Sequence, residues 1–287
     1  MKSIVGIIGS PRKLGNSEIM AKEIARAVPV PHEFRMVRLS DFNIDPCMGC
    51  YRCLFEDEHC ILEDDFPALL DIMLEADAVI LTAPTYFLGA NASLKRFVDR
   101  GLAIHAHIEK LWGKPSVGVC IAGIPGMEGH GLLGVQNFLR VLLTDNRANA
   151  VIYGALPGEI FMNRGNRNTA KALGMSLIGS APEPEDAPRC PLCGGDTFRF
   201  LDSHTVRCML CSHSGQVTVE SGILSIMVQA GDHPVFLSKT DALRHRDWLK
   251  GMKTRFLENK RQLKAIVTDY RKDGIRLKPP TGRRPSR

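Results

Sequence analysis

Apolar and polar positions along the chain alternate between two rhythms. Residues 3–8 (SIVGII) form an apolar run, the pattern of a strand buried on both faces of a sheet. A Gly-rich turn follows. Asn16 and Ser17 then open an amphipathic stretch to about residue 28, with Ile19, Met20, Ile24 and Ala27 on one side. The strand–loop–helix unit recurs. Strands are predicted over 34–39, 77–83, 115–121 and 148–155. Helices are predicted over 66–75 (opened by Asp65), 91–107, 131–143 and 166–178. Strands alternating with helices in this way predict an α/β fold: an open, doubly wound parallel sheet covered on both faces.

The alternation stops at residues 180–188 (SAPEPEDAP), where three prolines and three acids read as a linker. A short cysteine-bearing module is predicted over 189–220. A strand over 222–228 and a long charged helix over about 239–272 fall within a segment 221–275, and residues 276–287 read as a disordered basic tail. The domain ahead of the linker spans 1–179. No internal repeat is visible.

Composition adds limits. Hydrophobic residues make up 44% and charged residues 24% of 287, an ordinary soluble composition that can bury a core. No apolar run reaches the roughly 18–20 residues of a membrane span. The opening apolar stretch runs into Gly9-Ser10-Pro11 and reads as a strand rather than a signal peptide, so a cytoplasmic location is expected. The net charge of +6 is uneven. Residues 239–287 carry 16 Lys+Arg against 5 Asp+Glu, leaving 21 against 26 for the rest. The basicity belongs to the tail.

Candidate chemistry begins where the first strand ends. Gly9-Ser10-Pro11-Arg12-Lys13-Leu14-Gly15-Asn16-Ser17 brings hydroxyls, a guanidinium and free N–H groups to a helix N-terminus, which favours an anion. The spacing fits neither G-x-G-x-x-G nor the Walker loop. It suits one phosphomonoester, as in FMN; a capped helix after a tight turn is the plain alternative. In such sheets ligands sit at the carboxyl ends of strands. The third strand ends in Ala83-Pro84-Thr85-Tyr86-Phe87-Leu88-Gly89, which offers aromatics to a flat ring. The fourth ends in the Gly-rich loop 122–131 (AGIPGMEGHG), whose backbone can approach ring edges.

The motifs GSPRKLGNS and APTYFLGANASLKRFVDR, with that Gly-rich loop, resemble the NAD(P)H-dependent FMN reductase and multimeric-flavodoxin superfamily over roughly residues 1–178. The resemblance implies a flavodoxin-like sheet of order 2-1-3-4-5. It implies an FMN phosphate on Ser10, Arg12, Asn16 and Ser17. It places the isoalloxazine near Pro84, Thr85, Tyr86 and Phe87, with Ala122, Gly123 and Gly129 closing the far side. Lys95, Asp99 and Arg100 belong to the family's helix pattern and read as a helix-surface ion pair.

Eight of the nine cysteines fall into two sets, and Cys120 stands alone in an apolar run as a buried small hydrophobe. Without an export signal, clustered cysteines read as metal ligands. Cys47, Cys50, Cys53 and Cys60 form a compact C-x2-C-x2-C-x6-C run, which suits a 4Fe–4S cluster; zinc, redox thiols or a lost cluster are the alternatives. The run resembles that of the iron–sulfur flavoproteins, a branch of the same superfamily. That branch implies a homo-oligomer exchanging electrons with ferredoxin-like carriers. His59 reads as a solvated loop residue. Cys190, Cys193, Cys208 and Cys211 form two C-x2-C knuckles, the pattern of a zinc ribbon, with rubredoxin-like iron as the rival. The iron–sulfur flavoproteins behind the resemblance lack this module.

In the tail helix, Leu249, Met252, Phe256, Asn259, Leu263, Ile266 and Tyr270 step alternately by three and four, an a/d stripe. It serves either packing on the parent domain or subunit contact. Nucleic acid is not expected, since beyond Trp248 and Tyr270 no aromatics interleave the basic residues. The expected function is an FMN-dependent oxidoreductase passing electrons between NAD(P)H or a reduced carrier, the flavin and the cluster. The alternatives are a non-enzymatic electron-transfer or redox-sensing protein, and a plain FMN reductase without a cluster. No side chain is assigned as general acid or base.

Overall fold

The structure, a computed structural model, describes residues 1–55, 60–179, 187–271, 273–275 and 277. His59, most of the linker and nearly all of the basic tail lie outside the described residues.

Strands β1 (Lys2–Ile8), β2 (His32–Arg38) and β3 (Ala78–Tyr86), the two-residue β4 (Gly89–Ala90), and strands β5 (Pro115–Ala122) and β6 (Asp145–Tyr153) form the main sheet. Its order is β2-β1-β3-β5-β6, with β4 folded back antiparallel on β3. Leaving β4 aside, this is the expected 2-1-3-4-5 arrangement, and all four of those pairings are parallel. Side-chain alternation divides β1 between two cores. Val5 and Ile7 face one, and Ile4 and Ile8 the other. Helices α1 (Asn16–Arg26) and α7 (Gly165–Ser176) cover the second face through Met20, Ile24, Ala170 and Leu173. The first face is covered by α2 (Phe66–Glu75), α3 (Ala92–Val98), α4 (Gly101–Ala106), α5 (Ile108–Leu111) and α6 (Gly131–Val141). Each fully buried Leu or Ile here contributes roughly 1.5–3 kcal/mol.

The single helix expected over 91–107 is instead α3 and α4, with α5 just beyond. The Arg100 N–H bonds to the Phe97 carbonyl, three residues back, which tightens the turn and redirects the chain at Gly101. Strand β6 also starts earlier than expected, because the polar Asp145-Asn146-Arg147 hid its first turn of pairing with Pro115 and Ser116.

Beyond the linker, β7 (Phe198–Phe200), β8 (Thr205–Cys208), β9 (Ser214–Glu220) and β10 (Ile223–Val228) form an antiparallel sheet of order β10-β9-β8-β7. Strand β9 was not anticipated. Ser221 and Gly222, both with positive φ, make the tight hairpin turn that joins it to β10. The strand expected at 222–228 therefore completes the small sheet. Helix α8 (Lys239–Asp269) follows, capped by Ser238, whose Oγ accepts from the Asp241 N–H at 3.1 Å. Its foot packs on α4 and α5 through buried Ala242 and Leu249. From Phe256 onward the stripe Phe256, Leu263, Ile266 and Tyr270 is exposed. Among the described residues no helix is long and apolar enough to cross a membrane.

Candidate functional site

A cavity of about 210 Å³ opens at the carboxyl ends of β1, β3, β5 and β6. The β1–α1 loop forms its floor. Gly9 is required there, since a Cβ would lie 2.7 Å from Asn91 Oδ1 and 2.9 Å from Leu94 Cδ1. Helix α1 begins at Gly15, which has no side chain to cap the first-turn N–H groups. Those groups and the helix dipole are left to an incoming anion.

Ser10 and Ser17 are buried at the loop, and the Arg12 N–H donates to Ser10 Oγ at 3.2 Å. Arg12 lines the cavity, and its Nη1 donates to the Ala155 carbonyl at 3.3 Å. Asn16 does something different from a free phosphate ligand. Its Nδ2 donates to the Gly154 carbonyl, and its Oδ1 accepts from the Gly158 N–H, both at 2.9 Å. Glu18, in the same first turn, is kept out of the anion's way. Its carboxylate accepts from the Leu14 N–H, Lys22 and Arg38. Burial raises its pKa, but those bonds outweigh burial and hold it below the usual carboxylate range.

On the ring side, Pro84, Thr85, Tyr86 and Gly123 line the cavity. Thr85 Oγ1 sits 3.0 Å from Cys120 Sγ, and Cys120 is fully buried as expected. Phe87 and Leu88 turn the β3–β4 hairpin with positive φ, an uncommon conformation for such side chains. Phe87 consequently points into solvent at full exposure and does not line the cavity. Ala122 is buried beneath it, and Gly129 packs against Leu88. Sequence reasoning missed Gly154, Ala155 and Pro157, which line the cavity from the loop after β6. Their signal was available: a Gly- and Pro-bearing turn at the carboxyl end of the fifth main strand. A wider cavity, about 1030 Å³, lies elsewhere, between the β6 edge and the ribbon module.

The loop carrying Cys47, Cys50, Cys53 and Cys60 leaves from the same edge of the sheet, after β2. All four line one small pocket with Met48, Tyr51 and Arg100. Gly49 and Tyr51 adopt positive φ, and the Gly49 N–H donates to Cys47 Sγ at 3.4 Å. Burial first, and then Cys60, Cys47 and Cys50, push the Cys53 thiol up to about 11. A cationic metal core would reverse that penalty. A single tetrahedral ion holds its thiolates about 3.8 Å apart, at metal–sulfur bonds of about 2.3 Å.

The second set draws its sulfurs close together. Cys190, Cys193, Cys208 and Cys211 lie within 4.8 Å of one another, with Cys190–Cys211 at 3.8 Å and Cys193–Cys208 at 3.5 Å between sulfurs. Hydrogen bonds from Cys193 and Cys211 hold the Cys208 thiol down. Four sulfurs gathered this closely could hold one metal ion.

A flavodoxin-like sheet with an anion-binding first loop and a ring-sized slot at its carboxyl edge defines a flavin-binding oxidoreductase. Residues 2–154 match the NADPH-dependent FMN reductase family, and the chain belongs to that family. An iron–sulfur flavoprotein of Archaeoglobus fulgidus is 35% identical over 179 residues, covering 61% of this chain and 76% of its own. One from Methanocaldococcus jannaschii is 31% identical over 186 residues, covering 61% of this chain and 94% of its own. Among solved structures, flavone reductase superposes with a TM-score of 0.68 at 20% identity, over 96% of this chain and 99% of its own. That match extends past the main sheet into the C-terminal part of this chain.

Proposed function

We propose that the protein passes electrons between NAD(P)H or a reduced carrier, an FMN at the carboxyl edge of the sheet, and a 4Fe–4S cluster on Cys47, Cys50, Cys53 and Cys60. The observation that carries this is the gathering of these four cysteines around one pocket, in the loop that leaves the carboxyl end of β2. FMN exchanges one or two electrons and a cluster one at a time, so together they convert pair transfer into single steps. The chain's own groups bind and orient. Ser10, Arg12 and Ser17 with the first-turn N–H groups hold the phosphate. Asn16 holds the loop that closes over it. Pro84, Thr85, Tyr86 and Gly123 contact the ring. Cys190, Cys193, Cys208 and Cys211 hold zinc as a structural ion.

A homo-oligomer fits the exposed apolar rim of Tyr86, Phe87, Leu88, Ile124 and Met127 beside the site, and the bare stripe on α8. A ferredoxin-like protein is the proposed carrier. The second reading, a non-enzymatic electron-transfer or sensing protein, draws on the same exposed helix.

Anaerobic purification with flavin, iron and acid-labile sulfide analysis tests the proposal. Bound FMN is expected, with iron and sulfide in the ratio of a 4Fe–4S cluster. Protein that is colourless and refuses added FMN overturns the flavin reading. Flavin without sulfide reduces the protein to a plain FMN reductase. Reduction by ferredoxin with no NAD(P)H turnover selects the second reading.

A further inference from the structure

Arg100 was expected on the helix surface with Lys95 and Asp99. Those two do pair at the surface. Arg100 instead sits at the break between α3 and α4, with its side chain only 1% exposed. Burying a guanidinium costs several kcal/mol unless charge and hydrogen bonds compensate. Part of the compensation is visible. The Asp64 carboxylate, 0% exposed, accepts from both terminal nitrogens. The Asp45 carbonyl accepts from Nη1 at 3.1 Å, and the Phe66 ring lies 4.5 Å beneath the guanidinium carbon. Among the described residues, the Arg100 Nε is buried without a hydrogen-bond partner.

The same side chain lines the pocket formed by Cys47, Cys50, Cys53 and Cys60. Asp64 does not line that pocket. The ion pair is therefore a buried dipole whose positive end faces the cysteines and whose negative end lies behind it.

We propose that Arg100 is a positioning residue for the iron–sulfur cluster, holding a buried positive charge beside it and so raising its reduction potential. This rests on the cluster reading above. A cluster gains negative charge on reduction, and a fixed cation in a dry setting favours the reduced form. Charge and N–H donors to sulfur are among the levers by which a protein sets such potentials. Asp64 offsets the effect without cancelling it, being the remoter charge. A purely structural ion pair, fastening the cysteine loop to α4, would leave the potential where it was.

The test uses the whole chain, purified anaerobically, with R100Q and R100K beside the wild type. Iron and acid-labile sulfide are counted, and the cluster is titrated electrochemically with EPR detection. In R100Q the ratio of reduced to oxidised cluster at a fixed applied potential should fall roughly tenfold, about 59 mV for one electron. R100K, which keeps the charge and loses the fork, should recover more than half of that. The flavin potential and FMN affinity should not move, since Arg100 does not line the flavin cavity. A loaded R100Q with an unchanged cluster potential overturns the proposal, as does an R100K that recovers nothing. Should R100Q fail to load, Asp64→Asn decides: removing the offsetting negative charge should raise the cluster potential, and an unchanged or lower potential overturns the proposal. Wild-type protein without sulfide fails earlier and differently, because it removes the cluster itself.

Discussion

Asn16, at the start of α1, and Gly158, in the loop after β6, are joined by a hydrogen bond of 2.9 Å across 142 residues of sequence. With the companion bond to the Gly154 carbonyl, it ties the far wall of the cavity to the phosphate floor. Asn16→Ala removes both bonds and leaves the wall loose. FMN affinity should fall about tenfold, or ~1.4 kcal/mol, in a fluorescence-quenching titration. Undiminished affinity would show that the loop holds its position without Asn16.

The Asp64–Arg100 pair should make the fold acid-sensitive. Burial raises the Asp64 pKa, but the bonds from Arg100 and the Asp45 and Phe66 N–H groups outweigh it and hold the carboxyl below its ordinary 3.8. A depressed folded pKa contributes stability that is present above 3.8 and is lost as pH falls through the lower folded value. Asp64→Asn leaves Arg100 buried without its counter-charge, which costs about 3 kcal/mol or more. Thermal melts at pH 7 should show this loss, and the variant's decline on acidification should be shallower. A parallel decline in both proteins would locate the acid sensitivity elsewhere, for example in Glu18.

Helix α8 exposes an apolar stripe that an isolated helix cannot justify, because helices in water owe most of their stability to a packed face. Leu263→Asp together with Ile266→Asp should convert the native oligomer into a smaller species in sedimentation velocity, with the flavin spectrum intact. A wild-type monomer, or an oligomer indifferent to both charges, would mean that the stripe is not the contact.

The ribbon should depend on its ion. The module spanning β7–β10 has a small core of Cys190, Cys208, Val228 and a few half-buried neighbours, too little to fold alone. Cys208→Ser should lose the mononuclear metal and open the module to limited proteolysis, while the main domain keeps FMN. Metal analysis of the wild type should give zinc. A rubredoxin-like visible spectrum would assign iron, and a protease-resistant metal-free module would refute the structural role.

Where burial is periodic, the elements were legible from the chain itself. Helix α2 begins one residue after Asp65 and ends at Glu75, as its pattern indicates. The order of the main strands and the ligand edge followed from the alternation and from the family motifs. Less legible were places where polar residues take part in regular structure. The first three residues of β6 are Asp, Asn and Arg, and β9 carries an exposed polar face. The Gly154–Pro157 loop went unnoticed because it carries no charge or hydroxyl.

By itself, the amino-acid order determined most of the main strands and helices and which cysteines belong together. These are local matters, decided by spacing within a few residues of one another. The burial of Arg100 with Asp64, the closing bond between Asn16 and Gly158, and the exposure of Phe87 and the α8 stripe were decided by tertiary structure. Each depends on what the fold brings to, or leaves away from, a side chain across tens of residues, and charge patterns alone do not say which arginine turns inward.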